Sequence, residues 1–179
     1  HEIILAIQPY ECDICGHGSF IETSHGITLS GGKNMAIDID LFSSSKFRST
    51  IQNYCRQIGW KILDINDNRA VLIFSMDSGV DQTLYIIRYD NTLEFSCPSG
   101  VKFDSIDEIP DRLSTLLLIQ NSKFKLGFWC IEEISGRQVF SIMHNAEISL
   151  IDVNYFQKVV VKLITECDEF EQAISSMLR

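Results

Sequence analysis

Residues 112–178 read RLSTLLLIQNSKFKLGFWCIEEISGRQVFSIMHNAEISLIDVNYFQKVVVKLITECDEFEQAISSML, and this stretch decides the fold. An apolar helix ends in Leu117-Leu118-Ile119-Gln120-Asn121, and two strand-like runs follow, joined by the turn residues Ser135-Gly136. Asp152 is a suitable N-cap for the last segment, in which apolar residues recur at helical spacing as far as Leu178. The stretch therefore predicts a helix, a β-hairpin and one long amphipathic helix, in that order.

One helix and four strands are predicted before this stretch. The helix carries a 3.6-residue apolar stripe that includes Phe47 and Ile51, and it ends at Gly59. The four strands are predicted at 60–65, 70–76, 83–89 and 92–97. Pro110 is predicted to be the first residue of the middle helix, where its missing N–H has no cost. The element order α-β-β-β-β-α-β-β-α indicates an α+β fold, an antiparallel sheet with three helices.

The predicted hairpin is apolar on both faces. One of these faces carries four large apolar side chains, those of Trp129, Ile131, Phe140 and Ile142. An antiparallel sheet with one face in water alternates apolar and polar residues more strictly. Something must therefore cover this face: a helix, residues 1–42 or another subunit. Left uncovered, a patch of this size is typical of an interface.

The last predicted helix is longer than one sheet requires. At 1.5 Å per residue it spans roughly 40 Å. We therefore expect its end to pack on a partner or on a second copy, through Ile174, Met177 and Leu178.

Residues 1–42 differ from the main domain at residues 43–179. Short apolar runs alternate there with glycine-rich turns, which predicts a small β-rich N-terminal extension. The extension holds a C-x-x-C-G turn, which is typical of a zinc knuckle. A structural zinc would take its four ligands from Cys12, Cys15, His17 and His25. The alternatives are a turn without metal and a redox C-x-x-C, although the surrounding glycines favour a loop over the helix start that a redox motif needs.

The composition excludes several classes of protein. The chain has 45% hydrophobic and 22% charged residues, which argues against disorder. Its formal net charge is −9, and no cluster of Lys and Arg offsets it, so binding to nucleic acid or to anionic membranes is disfavoured. No apolar run reaches the roughly 18 residues that span a bilayer. The apolar run at residues 3–7 is too short for a signal peptide.

The cysteine pattern indicates a reducing compartment. Cys55, Cys130 and Cys167 fall at apolar positions of a helix or strand, which suits buried, reduced thiols. Together with the lack of an export signal, this predicts a cytoplasmic protein. No pattern predicts catalysis, because His144 has no nucleophile in an evident relay and is interpreted as a packed or surface histidine.

Several residues in this order resemble the YbjN-like family, which shares the fold of type III secretion chaperones. The matches over residues 43–179 are Leu116-Leu117, Asn121, Gly127-Phe128-Trp129, Gly136, Leu150-x-Asp152 and Cys167-Asp168-Glu169-Phe170. The resemblance implies a non-enzymatic, cytoplasmic and commonly dimeric protein without a resident cofactor. It implies that apolar surface binds extended segments of partner proteins, in the manner of the chaperones, or serves a regulatory role, as in the YbjN branch.

Two hypotheses follow from the sequence. The first is a dimeric, chaperone-like or regulatory module that binds a segment of a partner protein through apolar surface. The second is a small zinc-binding or thiol-redox protein that works through Cys12 and Cys15.

Overall fold

The structure, a computed structural model, describes residues 46–177 of the chain. The elements are α1 (Phe47–Ile58), β1 (Ile62–Ile65), β2 (Arg69–Ser75), β3 (Asp81–Tyr89), β4 (Thr92–Phe103), α2 (Asp111–Asn121), β5 (Phe128–Ile134), β6 (Arg137–Glu147) and α3 (Val153–Met177). Short 3-10 turns lie at Ile106–Glu108 and Ile148–Leu150. The predicted α+β order is confirmed, whereas the predicted β-rich extension at residues 1–42 lies outside the described residues.

The ends of the helices follow from local chemistry. The Asp152 carboxylate accepts a hydrogen bond from the Tyr155 amide at 2.7 Å, so Asp152 caps α3 as predicted. Gly59 ends α1 in the left-handed conformation, and its N–H donates to the Cys55 carbonyl. The prediction for Pro110 was one residue off. Pro110 is the extended N-cap of α2, because its backbone has ψ 118°, and the helix begins at Asp111.

All six strands belong to one antiparallel sheet in the order β1-β2-β3-β4-β6-β5. The first four strands form a meander, and β6 then pairs with β4, so β5 becomes an edge strand. The Ser135-Gly136 pair has positive φ at both residues and joins β5 to β6, as predicted. β4 continues to Phe103, beyond the predicted end at residue 97, with an irregular register between Pro98 and Lys102.

The core lies between one face of the sheet and the helices α1 and α3. Phe156 of α3 is fully buried, and its ring lies 5.4 Å from that of Tyr54 in α1 and 5.9 Å from that of Phe95 in β4. The Tyr54 hydroxyl donates to the Ile151 carbonyl at 3.0 Å, which ties α1 to the start of α3. The burial of these large side chains supplies most of the free energy that stabilises the layers.

The end of α2 is held against the edge strand β5 by a single side chain. The Asn121 amide nitrogen donates to the Trp129 carbonyl at 2.9 Å, and the Trp129 amide donates to Asn121 Oδ1 at 2.7 Å. This two-bond arrangement gives Trp129 on the edge strand the partners that a neighbouring strand would otherwise supply. These two hydrogen bonds place α2 beside the sheet. Leu117 is the only residue of α2 whose side chain is buried.

Candidate functional site

Of the four hairpin residues in the predicted interface, three are buried and one is partly exposed. Trp129, Phe140 and Ile142 are buried, and the Trp129 and Phe140 rings lie 4.5 and 5.9 Å from that of Phe170 in α3. The cover of this face is therefore a helix, one of the three alternatives, and these three side chains are core rather than open surface. Ile131, nearer the end of β5, remains 38% exposed.

Of the other predicted site residues, only some lie within the part of the chain that the structure describes. Ile174 is half-buried on the last turns of α3, Met177 is the last residue of that helix, and Leu178 lies outside the described residues. The candidate zinc ligands also lie outside them: Cys12, Cys15, His17 and His25. Residues 46–177 contain no group of three or more His, Cys, Asp or Glu side chains that could hold a metal ion. The zinc site stays a prediction, which metal analysis of the purified protein tests.

An open groove of about 1360 Å³ lies between α2 and the last turns of α3, and we call it the α2–α3 groove. Its apolar lining comes from the turn before β3, the end of β4, and both helices. These side chains are Val80, Val101, Phe103, Leu113, Leu116 and Ile174. The groove therefore contains Ile174, the one residue of the predicted helix-end surface whose surroundings the structure describes.

The floor of the α2–α3 groove is polar, and its carboxylates are already bonded. Asp168 is 6% exposed and accepts hydrogen bonds from the Ser78 hydroxyl at 2.5 Å and from the Gln172 side chain at 2.7 Å. Glu171 accepts from the Gln82 side chain at 2.7 Å and from the Gly100 amide. Because buried carboxylates are costly unless they are hydrogen-bonded, these bonds explain how acids can lie beneath an apolar groove. They also join α3 to β3, β4 and the β2–β3 turn.

The thiols of the described residues are not poised for nucleophilic chemistry. Burial raises the pKa of Cys55 to about 11. Burial, with the nearby Glu132 and Glu94, raises the pKa of Cys130 to about 12. A hydrogen bond with Cys97, together with burial, raises the pKa of Cys167 well above its usual value. Because the thiolate is the reactive form, none of these three thiols is poised as a nucleophile. Cys55 and Cys167 are buried, as the sequence predicted, whereas Cys130, which was also predicted to be buried, is only partly buried.

His144 is packed rather than catalytic. Its Nδ1 accepts a hydrogen bond from the Gly127 amide at 3.2 Å, and its Nε2 lies 2.7 Å from the Tyr155 hydroxyl. An imidazole that accepts at Nδ1 is neutral and carries its proton on Nε2, which then donates to Tyr155. The histidine thus joins the start of β5 to the first turn of α3. Burial lowers the pKa of His144.

This lowered pKa predicts a loss of stability in mild acid. The folded state keeps His144 neutral, whereas the unfolded chain binds a proton near the ordinary pKa of about 6.5. As the pH falls below that value, the unfolded state gains protons first and the free energy of unfolding decreases. We expect urea denaturation to give a smaller decrease between pH 7 and pH 5.5 for His144→Gln than for the original chain. Equal decreases in the two proteins would contradict the assignment.

The face of the sheet that points away from α1 and α3 forms a second candidate site, the outer sheet face. A shallow depression of about 450 Å³ crosses β3, β4 and β5 there. Its lining residues are Thr83, Tyr85, Ile87, Glu94, Ser96, Pro98, Glu132 and Ile134. Two carboxylates therefore lie in a largely apolar surround. Burial, and secondarily the charge of Glu132, raise the pKa of Glu94.

A third surface is the outward side of α2. Leu118 and Ile119 are 67% and 53% exposed, on the part of the helix surface that the buried Leu117 does not occupy. Large apolar side chains exposed at consecutive positions are unusual for a helix that faces only water. These residues predict the helix but not an exposed surface, because the leucine-rich run shows no clean amphipathic period.

Neither the α2–α3 groove nor the outer sheet face is predicted by the sequence. Both bring together residues far apart in the chain, such as Val80 with Ile174, or Glu94 with Glu132. One sequence feature does point to the groove. Asp168 and Glu171 lie one turn apart beside the apolar stripe of the last helix, and acids in such a position need hydrogen-bond donors from a neighbouring element.

Comparisons with known proteins show a shared fold. The structure is similar to a chain of the HopA1–SchA chaperone–effector complex, with a TM-score of 0.54 and 10% sequence identity over 74% of this chain and 95% of that chain. It also matches the crystal structure of YbjN from E. coli, with a TM-score of 0.48 and 13% identity over 66% of this chain and 84% of that chain. No protein-family model and no curated protein sequence matches. The predicted secretion-chaperone-like fold is thereby confirmed. Among the described residues, no helix is long and apolar enough to cross a membrane.

Proposed function

We propose that this protein is a non-enzymatic, chaperone-like module of the cytoplasm that binds an apolar segment of a partner protein in the α2–α3 groove. The observation that carries the proposal is the groove itself, about 1360 Å³ of open space with apolar walls from four parts of the chain. Apolar surface of this kind, once covered, contributes about 25 cal/mol per Å².

The polar floor of the groove supports binding of a segment rather than chemistry on it. All four carboxylate oxygens of Asp168 and Glu171 accept hydrogen bonds from within the protein. Hydrogen bonds from within the protein give both acids a structural role, because a buried carboxylate without partners is costly. Carboxylates held in this way fix α3 against the sheet and the β2–β3 turn.

The similarity of fold to a chain of a chaperone–effector complex gives a second line of support. In that complex a chaperone is bound to another protein. One fold can support many functions. The similarity therefore makes the binding of a partner protein the first function to test.

The groove proposal is tested with the full chain and a chemically denatured model client whose aggregation is followed by light scattering. We expect the protein to slow aggregation, and Leu116→Asp to lose most of that effect, because Leu116 lines the groove and is 51% exposed. Leu63→Asp is the matched control, since Leu63 is 65% exposed on β1, outside the groove. Equal activity of the two variants, both folded by circular dichroism, would contradict the proposal.

A homodimer is the second part of the proposal, with the outward side of α2 as its contact. Leu118 and Ile119 on α2, and Ile131 on the edge strand β5, are exposed apolar side chains that a second copy would cover. Sedimentation velocity is expected to show a dimer, and the double variant Leu118→Glu with Ile119→Glu is expected to sediment as a monomer. A monomer before any substitution, across the micromolar range, would refute this part alone.

A further inference from the structure

We infer that the outer sheet face is a subsite for a lysine side chain of the partner protein, held between Glu94 and Glu132. This inference rests on the proposed function and names part of the partner's chemistry. It concerns a surface on the opposite side of the sheet from α3, distinct from the α2–α3 groove.

The order of the strands brings the two carboxylates to the same region of the sheet. Glu94 lies on β4 and Glu132 on β5, and β6 runs between these strands. The Ser96 hydroxyl donates to Glu132 Oε2 at 3.0 Å, so the Glu132 side chain reaches across β6 towards β4. Two acids brought together in a largely apolar surround repel each other and favour a bound cation.

No described cation neutralises this pair. Arg88, opposite the buried Leu93, lies on the other face of the sheet, and Lys102 of β4 lines the α2–α3 groove. Two arginines near the pair on its own face are Arg69, opposite Ile87, and Arg137, opposite Ile134. Each is already paired with another carboxylate: Arg69 with Asp64 at 2.8 Å, and Arg137 with Asp104 at 3.0 Å. The described part of the chain thus leaves two acids on this face without an ion-pair partner.

A buried hydroxyl beneath the pair provides an independent observation. Ser141 of β6 is opposite Pro98 on β4 and opposite Cys130 on β5, so it lies under the line from Ser96 to Glu132. It is 0% exposed, and its Oγ has no hydrogen-bond partner among the described residues. A buried polar atom without a partner is costly, and the strand register puts this hydroxyl on the same sheet face as Glu94 and Glu132.

Lysine fits these groups better than a free metal ion does. Its ammonium has three donors and no acceptor, which matches the carboxylates of Glu94 and Glu132 and the Ser141 hydroxyl. Its four-carbon stem can pack along the apolar side chains of the depression, such as Tyr85 and Ile134, while the charged end reaches the acids. Residues 46–177 offer no third His, Cys, Asp or Glu side chain to complete a metal site with these two carboxylates, and Ca²⁺ takes six to eight oxygen ligands. The net charge of −9 favours encounter with a cationic partner segment.

The test uses the full, isotope-labelled chain and two peptide probes, N-acetyl-Leu-Lys-Leu-amide and N-acetyl-Leu-Gln-Leu-amide, followed by NMR titration. We expect the lysine peptide to shift the amide signals of Glu94, Ser96 and Glu132, with an affinity that falls at high salt. Glu94→Gln and Glu132→Gln are each expected to weaken its binding at least about threefold, without effect on the glutamine peptide. Because these substitutions remove a repulsion, we expect the folded state to be retained.

Glu133→Gln is the matched control, since it changes the net charge equally but lies on the opposite face of β5. Binding of both peptides with equal affinity, or equal effects of Glu132→Gln and Glu133→Gln, would overturn the inference. Shifts confined to Val101 and Leu113 would overturn it while leaving the groove proposal standing. Shifts at Ser96 that depend on protein concentration alone would assign the face to a second copy and would also overturn it.

Discussion

Replacing Phe156 by alanine is expected to lower the free energy of unfolding by about 3–5 kcal/mol. Phe156 is fully buried where α1, α3 and the sheet meet, and its ring lies within 6.1 Å of three others, those of Tyr54, Trp60 and Phe95. The substitution removes the apolar contact area of a phenyl group and leaves a cavity that the surrounding rings cannot fill. A domain of this size is stable by only about 5–15 kcal/mol, so much of its stability depends on this residue.

Urea denaturation followed by far-UV circular dichroism measures this loss, with Val161→Ala as the control on the same helix. Val161 is 44% exposed, and its truncation is expected to change stability by less than about 1 kcal/mol. Similar losses in the two variants would mean that α3 does not bury Phe156 against α1 and the sheet.

Replacing Gly127 by alanine is expected to cost about 2–5 kcal/mol, for two separable reasons. Gly127 precedes β5 with φ +80°, a conformation that costs an L-residue roughly 1–2 kcal/mol. A Cβ atom at this position would also lie 2.8 Å from Leu163 Cδ2 of α3 and 3.4 Å from the Met143 carbonyl oxygen. Relief of that overlap requires the fully buried Leu163 side chain to shift within a packed core, and such overpacking costs typically 1–3 kcal/mol.

Gly136→Ala separates these two contributions. Gly136 has φ +76°, close to that of Gly127, but a Cβ atom there meets nothing within 4 Å. Thermal and urea denaturation of both variants are expected to show a loss of about 1–2 kcal/mol for Gly136→Ala and a clearly larger one for Gly127→Ala. Equal losses would show that steric contact with α3 contributes nothing at Gly127.

The elements of the fold could be predicted from the sequence because each depends on nearby residues. The capping of α3 by Asp152 and the tight turn at Ser135-Gly136 are local chemistry, and both are present. Element ends were less well predicted where backbone pairing decides them. β4 extends to Phe103 because β6 continues to pair with it beyond the irregularity after Pro98.

The candidate sites could not be predicted in the same way. Trp129, Phe140 and Ile142 were recognised as a shared apolar face, which is correct, but their sequence cannot say whether α3, residues 1–42 or a second copy covers them. Which of these covers the face depends on how α3 crosses the sheet. In the structure α3 covers it, because the Phe170 ring packs on Trp129 and Phe140.

Local sequence patterns are sufficient to predict which segments are helices and strands, in which order they follow, and which of their faces are apolar. These properties depend on side-chain spacing and on caps and turns a few residues long. Only the tertiary structure decided that β6 lies between β4 and β5, and this strand order brings Glu94 near Glu132. It also decided that Val80 and Ile174 share a groove. Contacts between residues distant in the chain depend on the free energy of packing whole layers together, which no local pattern encodes.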